Sequence, residues 1–194
     1  MARPKEFEQD AALERAMNLF WEHGYEATSI RDLIAYVGIS SSSIYNTFGD
    51  KQDVYRAALE RYRRIEYEQV RQLLAQPRPL CETLAGMFAE LIDSLMADGG
   101  QRGSFTLNAA VELGARDPIV AGLLREHFDD ICALLAGRLA AAQANDEIGA
   151  RSPALDLARY LLFGMYGLAL IVKVFPDRGR LETTAALTLA VLDC

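Results

Sequence analysis

The fold of this chain is decided by residues 28–51, which read TSIRDLIAYVGISSSSIYNTFGDK. The first half carries apolar residues at helical spacing: Ile30, Leu33, Ile34 and Val37. Gly38 follows, and glycine most easily adopts the left-handed conformation that ends a helix. Ile44 and Phe48, four residues apart, give the second half one buried stripe. The pattern predicts a helix-turn-helix, the motif that places its second helix in the major groove of DNA.

Polar residues in this stretch predict both the helix starts and a reading face. Thr28 or Ser29 can cap the first helix, where Ser29 and Asp32 resemble a capping box, and Ser40 or Ser41 can cap the second. The outer face of the second helix is formed by side chains that can bond phosphate or base edges: Ser41, Ser42, Ser43, Tyr45, Asn46 and Thr47. The predicted DNA-binding set also includes four flanking residues: Thr28, Ser29, Arg31 and Lys51.

This stretch resembles the DNA-binding domain of TetR-family transcriptional regulators. The matching positions are Thr28, Ser29, Ile30, Arg31, Asp32, Leu33, Gly38, Ile39, Tyr45, Phe48 and Lys51. Upstream matches to the end of the family's first helix are Ala16, Phe20, Gly24 and Tyr25. Ile34 and Val37 depart from the pattern, because the family usually has Ala at both positions. The alternative without DNA is a plain helical hairpin with a solvated serine face.

Charge gives this assignment no support. Residues 1–75 contain ten Lys and Arg against twelve Asp and Glu, a net charge of −2, whereas DNA-binding domains are usually basic. The cations expected near phosphate are Arg3, Lys5, Arg31 and Lys51. So few cationic contacts predict a modest dependence of DNA binding on salt.

Composition predicts a soluble cytoplasmic protein. Of 194 residues 51% are apolar, and the net charge is −7. Three widely spaced cysteines (Cys81, Cys132 and Cys194) fit a reducing compartment better than a disulfide scaffold. The N-terminal residues contain no apolar signal core. The longest uncharged apolar run, residues 160–172, is shorter than the roughly 20 residues that span a bilayer.

Helical periodicity and regular breaks predict an all-α fold of about nine helices, as the TetR resemblance also implies. The predicted domains are a helix-turn-helix domain at 1–50, a connecting helix at 51–75 and a helical ligand-binding and dimerisation domain at 76–194. The boundary is placed at Gln76-Pro77-Arg78-Pro79. Asp117-Pro118 and Ser152-Pro153 predict two later helix starts, and the last helix is expected over about Leu181–Leu192.

The resemblance implies a homodimer joined through the last two helices. The predicted interface consists of Leu161, Gly164, Met165, Leu168, Val172, Leu181, Ala185, Thr188 and Leu192. Glycine within a helix costs about 1 kcal/mol relative to Ala, and close helix approach at Gly164 would offset that cost. The alternative is that these residues belong to the core of a single chain.

The resemblance also implies a small-molecule inducer site in the second domain. Its candidate residues are Met87, Phe88, Phe105, Asn108, Glu112, Phe128, Phe163 and Tyr166. The alternative is that the aromatic residues are core and that Glu112 is a solvated or capping carboxylate.

The function expected is that of a dimeric repressor, bound to a palindromic double-stranded operator and released by an unidentified small-molecule inducer. A metal- or redox-responsive regulator of the same fold is one alternative, with ligands from the three cysteines, His23 and His127. An all-helical enzyme with a central pocket is another, although the sequence has no HExxH, GxSxG or phosphate-binding glycine loop. No cofactor, metal, catalytic residue or membrane partner is predicted.

Overall fold

The computed structural model of the chain describes residues 3–97 and 99–193, and side chains from Gln9 onward. Within these residues the regular structure is helical, and no strand is present. The nine α-helices are α1 (Arg3–His23), α2 (Ile30–Val37), α3 (Ser41–Thr47), α4 (Lys51–Leu74), α5 (Leu80–Met96), α6 (Phe105–Leu113), α7 (Pro118–Ala144), α8 (Ala154–Ile171) and α9 (Arg178–Leu189). The prediction of an all-α fold of about nine helices is confirmed for this part of the chain.

The caps of the two short helices lie where the sequence predicts them. The Ser29 side chain accepts from the Asp32 N–H while the Asp32 carboxylate accepts from the Ser29 N–H, so the capping box is present. Gly38 has a φ of 73°, a left-handed conformation in which a side chain on Cβ would be strained. Ser40 caps α3 by accepting a hydrogen bond from the Ser43 N–H. Local sequence therefore fixes the turn that presents α3.

The last helix begins earlier than predicted. Asp177 caps α9 by accepting from the Arg180 N–H at 3.2 Å, so the helix starts at Arg178 rather than near Leu181. Its α-helical part ends at Leu189, and one 3-10 turn, Ala190–Leu192, follows. The missed start is a side-chain cap that lies directly after Pro176.

The chain divides into two compact units. Unit 1 comprises residues 1–65 and 108–124, and unit 2 comprises residues 66–107 and 125–194. The sequence-based boundary at residues 76–79 follows α4, whereas the two units divide within this helix at residues 65 and 66. Residues 108–124 group with the N-terminal helices, which the order of the sequence alone did not suggest.

Each unit has its own apolar interior. In unit 1, the Tyr55 ring packs edge-on against Phe20 at 4.9 Å and against Tyr25 at 5.0 Å between ring centroids. In unit 2, α5 packs against α8 and α9. Leu84 of α5 and Leu161 of α8 are fully buried there. These interiors hold α3 and the outer face of α8 at the surfaces of their respective units.

Among the described helices, α8 meets the length and hydropathy that a membrane-spanning helix needs. Only 33% of this segment is buried, and a core helix of a soluble protein can meet the same criteria. The length and hydropathy of α8 therefore indicate an exposed apolar side but do not show that this helix enters a bilayer.

Candidate DNA-reading and partner surfaces

The outer face of α3 is polar and exposed, and its inner face is apolar. Ile44 is buried, whereas the six candidate reading residues of this helix are all exposed: Ser41, Ser42, Ser43, Tyr45, Asn46 and Thr47. Tyr45 is 50% exposed. The arrangement places hydroxyl, amide and phenol groups on one side of a helix small enough for the major groove.

Hydroxyl groups at the start of α3 are already hydrogen-bonded to one another. The Ser40 hydroxyl lies 2.9 Å from that of Ser42 and 2.8 Å from that of Ser43, and it also accepts from the Ser43 N–H. Any DNA contact by Ser42 or Ser43 would share these groups with the helix cap. Tyr45, Asn46 and Thr47 follow in the second half of the helix.

Thr28 and Ser29 have local structural roles. Thr28 is 1% exposed, and its hydroxyl donates to the Gly24 carbonyl oxygen at 2.7 Å. Its side chain therefore stabilises the turn after α1 and does not present itself to a DNA surface, contrary to the sequence-based expectation. The Ser29 hydroxyl is exposed but bonded to the Asp32 carboxylate at 2.6 Å, whereas Arg31 is exposed on α2.

Lys51 begins α4 and rests on an aromatic ring. Its Nζ lies 4.1 Å from the centroid of the Tyr25 ring, a cation–π contact. Because Tyr55 packs against the same ring, the platform under the ammonium group is fixed within unit 1. The side chains of Arg3 and Lys5, the other cations expected near phosphate, lie outside the described side chains.

The predicted dimer residues lie mainly in the interior of unit 2. Seven of the nine are buried: Leu161, Leu168, Val172, Leu181, Ala185, Thr188 and Leu192. Gly164 and Met165 are half-buried. A Cβ on Gly164 would lie 2.7 Å from the Thr188 Cγ2, so this glycine permits close packing of α8 against α9 of the same chain. Most of these residues therefore belong to the core of a single chain, which was the alternative interpretation. Their assignment to a dimer interface has to be corrected.

A different set of apolar residues on the same two helices is exposed. On and just after α8 these are Tyr160, Phe163, Leu170, Ile171, Val174 and Phe175, and at the end of the chain they are Leu187 and Val191. Gly167 lies among them, and no atom of the chain beyond its own helix backbone lies within 4 Å of the position that a Cβ would take. The predicted interface did not include this face, although positions 160, 163, 167, 170 and 174 follow the same three- and four-residue spacing. We refer to these residues as the outer α8–α9 face.

The eight inducer candidates do not form one group. Met87, Phe88 and Phe105 are buried in unit 2, where Phe128 also pairs with Tyr166 at 5.0 Å between ring centroids. Phe163 instead lies on the outer α8–α9 face, 69% exposed. Asn108 and Glu112 belong to unit 1, and the Glu112 carboxylate accepts from two backbone N–H groups there. The Glu112 carboxylate therefore binds the backbone of unit 1, whereas a pocket role for Asn108 stays a prediction.

Unit 2 contains a buried polar chain that the sequence did not reveal. The His127 Nε2 lies 3.0 Å from Glu66 Oε2, which also accepts from the Thr106 hydroxyl at 3.2 Å. The Ser104 hydroxyl lies 2.8 Å from that of Thr106. His127 thus has a carboxylate partner 61 residues away in sequence, a pairing that no local pattern indicates.

Within residues 3–97 and 99–193, no three His, Cys, Asp or Glu side chains cluster as a metal site requires. Cys132 is a buried free thiol whose pKa burial raises, because the thiolate is the charged form. Cys81 is disulfide-bonded, which the expectation of a reducing compartment did not anticipate. Cys194 lies outside the described residues.

Comparison with known proteins identifies two family domains. Residues 12–58 match the model for bacterial regulatory proteins of the TetR family, which contains the helix-turn-helix. Residues 81–187 match the model for the tetracycline repressor-like C-terminal domain. Together the two matches cover the reading helix, α8 and most of α9.

Relatives extend over nearly the whole chain. The transcriptional regulator YezE of Bacillus subtilis (strain 168) is 31% identical, with all of both chains covered. The transcriptional repressor ComR of Escherichia coli (strain K12) is 31% identical over 96% of this chain and 90% of its own. A cysteine mutant of the regulator CifR, solved with 26-bp operator DNA, has a TM-score of 0.83 at 27% identity and covers 94% of this chain and 95% of CifR. The chain belongs to the TetR family of bacterial transcriptional regulators.

Proposed function

We propose that this regulator is a cytoplasmic repressor that binds a palindromic operator as a homodimer and is released by a small-molecule inducer. The observation that carries the proposal is α3, whose polar outer face is exposed while Ile44 anchors its inner face. Repression and operator binding agree with the descriptions of ComR and of the CifR complex. The family is one of regulators rather than enzymes.

DNA reading is assigned to the exposed residues of α3 together with two flanking cations. Tyr45, Asn46 and Thr47 would contact base edges or phosphates, while Ser41, Ser42 and Ser43 approach the backbone of the duplex. Arg31 and Lys51 would contact phosphate. With unit 1 this low in cationic charge, specificity depends mainly on hydrogen-bond geometry at the base edges.

A second copy of the chain is the proposed occupant of the outer α8–α9 face. A reading helix of seven residues contacts few base pairs, so two copies reading half-sites about 34–36 Å apart would supply the missing specificity. The face offers large apolar residues such as Phe163 and Leu187, each 69% exposed. Several large apolar side chains exposed along one helix are typical of a protein interface.

Inducer release is proposed from the family and not from an observed cavity. The remaining candidates in unit 2 are Met87, Phe88, Phe105, Phe128 and Tyr166. A ligand there would act only if it bound the form unable to hold DNA more tightly than the DNA-binding form. An apolar or aromatic small molecule suits these side chains best.

The decisive experiment removes the reading groups without disturbing the fold. In Tyr45→Ala combined with Lys51→Ala, binding to an operator selected from random DNA should weaken at least about tenfold, since direct readout contributes about 1–3 kcal/mol per good contact. Fluorescence anisotropy would measure affinity, and circular dichroism would verify helicity. The matched control is Tyr36→Ala with Arg15→Ala, an exposed tyrosine and an exposed cation elsewhere in unit 1. Equal affinity of the two double variants would remove this site assignment.

A further inference from the structure

Residues 108–124 comprise most of α6, the turn after it and the start of α7, and we call this segment the corner between α6 and α7. It contributes two carboxylates to unit 1. The first is Glu112, near the end of α6. Its Oε2 accepts from the Tyr25 N–H at 2.8 Å, and its Oε1 accepts from the Glu26 N–H at 2.7 Å. Both carboxylate oxygens thus bind the backbone of the turn that joins α1 to α2, 86 and 87 residues away in sequence.

Gly24 provides the space for this contact. A Cβ at this position would lie 3.2 and 3.3 Å from the two oxygens of Glu112, closer than nearly all real contacts of this kind. The residue also has a φ of +83°, which disfavours any side chain. Gly24 matches the TetR pattern, and the structure supplies a specific reason for glycine there: the carboxylate needs access to the next two N–H groups.

Tyr25 connects Glu112 to the predicted phosphate contact. Its N–H is held by Glu112, and its ring supports the Lys51 ammonium group at 4.1 Å. Fixing the backbone of Tyr25 therefore fixes the surface on which Lys51 rests. The ring attracts the cation but provides no hydrogen-bond acceptor, so it orients the ammonium group and leaves its three donors available for phosphate.

The second carboxylate, Asp117, holds the start of α4 directly. It accepts from Gln52 Nε2 at 2.8 Å and from Arg56 at 3.0 Å. Gln52 directly follows Lys51, and Arg56 lies somewhat more than one helical turn beyond it. The same carboxylate caps α7 through the N–H groups of Ile119 and Val120. The corner between α6 and α7 thus secures Lys51 from its own helix and from the ring beneath it.

We propose that Glu112 and Asp117 are positioning residues that hold the Lys51 ammonium group, through Tyr25 and through the first turns of α4, in place for a phosphate of the operator backbone. This proposal rests on the proposed function, because it presumes that Lys51 contacts phosphate. It adds a defined chemical role for α6 and α7 in DNA binding: neither carboxylate touches DNA, and each acts through a named neighbour.

The test is a double-mutant cycle between Glu112→Gln and Lys51→Ala, with operator affinity measured over a range of salt concentrations. Gln keeps the length of the side chain but turns an NH₂ group toward a backbone N–H, so the bidentate contact is lost. Each single variant should reduce the slope of log K against log salt by about one, the contribution of a single phosphate contact. The double variant should show no further reduction. Glu22→Gln, an exposed carboxylate on α1, controls for the change in charge.

The possible outcomes separate the two proposals. If Lys51→Ala leaves affinity and salt slope unchanged, the phosphate contact does not exist, and both proposals for Lys51 are overturned. If Lys51→Ala reduces the slope while Glu112→Gln leaves it unchanged, or if the two effects add, only the positioning role is overturned. Should Glu112→Gln lose its helical content, Glu112→Asp replaces it in the cycle, since a shorter carboxylate keeps its charge but withdraws from Tyr25 and Glu26. Coupling to Lys51 is again expected.

Discussion

At the scale of single residues, Asp117 shows how one side chain can serve two elements. Its side chain is 6% exposed and accepts hydrogen bonds from four residues, through the backbone of two in α7 and the side chains of two in α4. A buried carboxylate is tolerated because these donors replace the water it has lost. The residue therefore contributes more stability when it is ionised than when it is protonated.

The ionisation of Asp117 leads to a prediction about pH. Burial raises the pKa of its carboxyl, but hydrogen bonds from Val120, Arg56, Gln52 and Ile119 outweigh burial and lower the pKa below its ordinary value of 3.8. A carboxyl whose pKa is lower in the folded state stabilises the protein above the unfolded pKa, and the contribution is lost as pH falls through the folded pKa.

Asp117→Asn should therefore lower the free energy of unfolding at pH 7 by about 1–3 kcal/mol, the usual range for hydrogen bonds to a charged group. The difference from the parent chain should shrink as pH falls from the ordinary carboxyl pKa of 3.8 through the lowered folded pKa, because the parent carboxyl becomes protonated. Urea unfolding at a series of pH values measures both quantities. Parallel pH profiles for the two proteins would show that ionisation of Asp117 does not stabilise the fold.

Single residues also show which parts of the site can be predicted from the sequence. The caps at Ser29 and Ser40 and the turn at Gly38 depend on neighbours three or four residues away, so the sequence predicts them. The partners of Glu112 and His127 are 87 and 61 residues away. Such pairings depend on how helices assemble, which local patterns do not encode. Thr28 was misassigned for a related reason, since an exposed hydroxyl and a buried one look alike in sequence.

At the scale of elements, α8 carries two apolar faces. One face, with Leu161, Leu168 and Val172, is buried in unit 2, and the other, with Phe163 and Leu170, is exposed. Helical spacing predicts both faces and cannot say which one meets the protein's own core. Gly164 lies on the buried face and Gly167 on the exposed face. The same substitution should therefore change stability in opposite directions at the two positions.

Gly164→Ala should destabilise the fold and Gly167→Ala should stabilise it. At Gly164 the new Cβ would lie 2.7 Å from Thr188 Cγ2, and the Thr188 hydroxyl bonds the Thr184 carbonyl at 2.8 Å, which opposes rotation of the side chain. Overpacking of this kind typically costs about 1–3 kcal/mol. At Gly167 no atom of the same chain lies within 4 Å of a new Cβ, so the higher helix propensity of Ala should stabilise the single chain by up to about 1 kcal/mol.

Thermal unfolding at one protein concentration would compare the two glycine variants. Thr188→Ser removes the clashing methyl group and should restore most of the stability lost in Gly164→Ala. If Gly164→Ala instead were as stable as the parent chain, close packing at this position would not be the reason for glycine.

At the scale of the whole molecule, a net charge of −7 limits how DNA can be bound. A chain this acidic cannot rely on long-range attraction to phosphate, so a few well-placed groups must provide affinity and sequence recognition together. Duplication of those groups in a dimer is the simplest way to increase both. In the proposed dimer, the outer α8–α9 face would be as important to operator recognition as α3 itself.

Phe163→Asp should break the dimer and, as a consequence, operator binding. The Phe163 side chain is 69% exposed in the single chain, so an aspartate there leaves the monomer folded. In the proposed interface the same charge would be buried without a partner, which weakens association on the order of a hundredfold or more. Analytical ultracentrifugation would measure the dimer, and anisotropy on full-length and half-site operators would measure binding. The parent chain should bind the full-length operator more tightly than the half-site, and Phe163→Asp should bind both with the same low affinity.

The matched control for this dimer test is Val111→Asp. Val111 is 76% exposed, lies on α6 in unit 1 and is outside the outer α8–α9 face, so its variant should remain a dimer. If Phe163→Asp also sediments as a dimer, the outer α8–α9 face is not the interface between copies.

If instead the parent chain is monomeric but binds vesicles or detergent micelles through this face, the apolar side of α8 would serve a membrane. Two-fold reading of the operator by the α3 helices would then have no structural support.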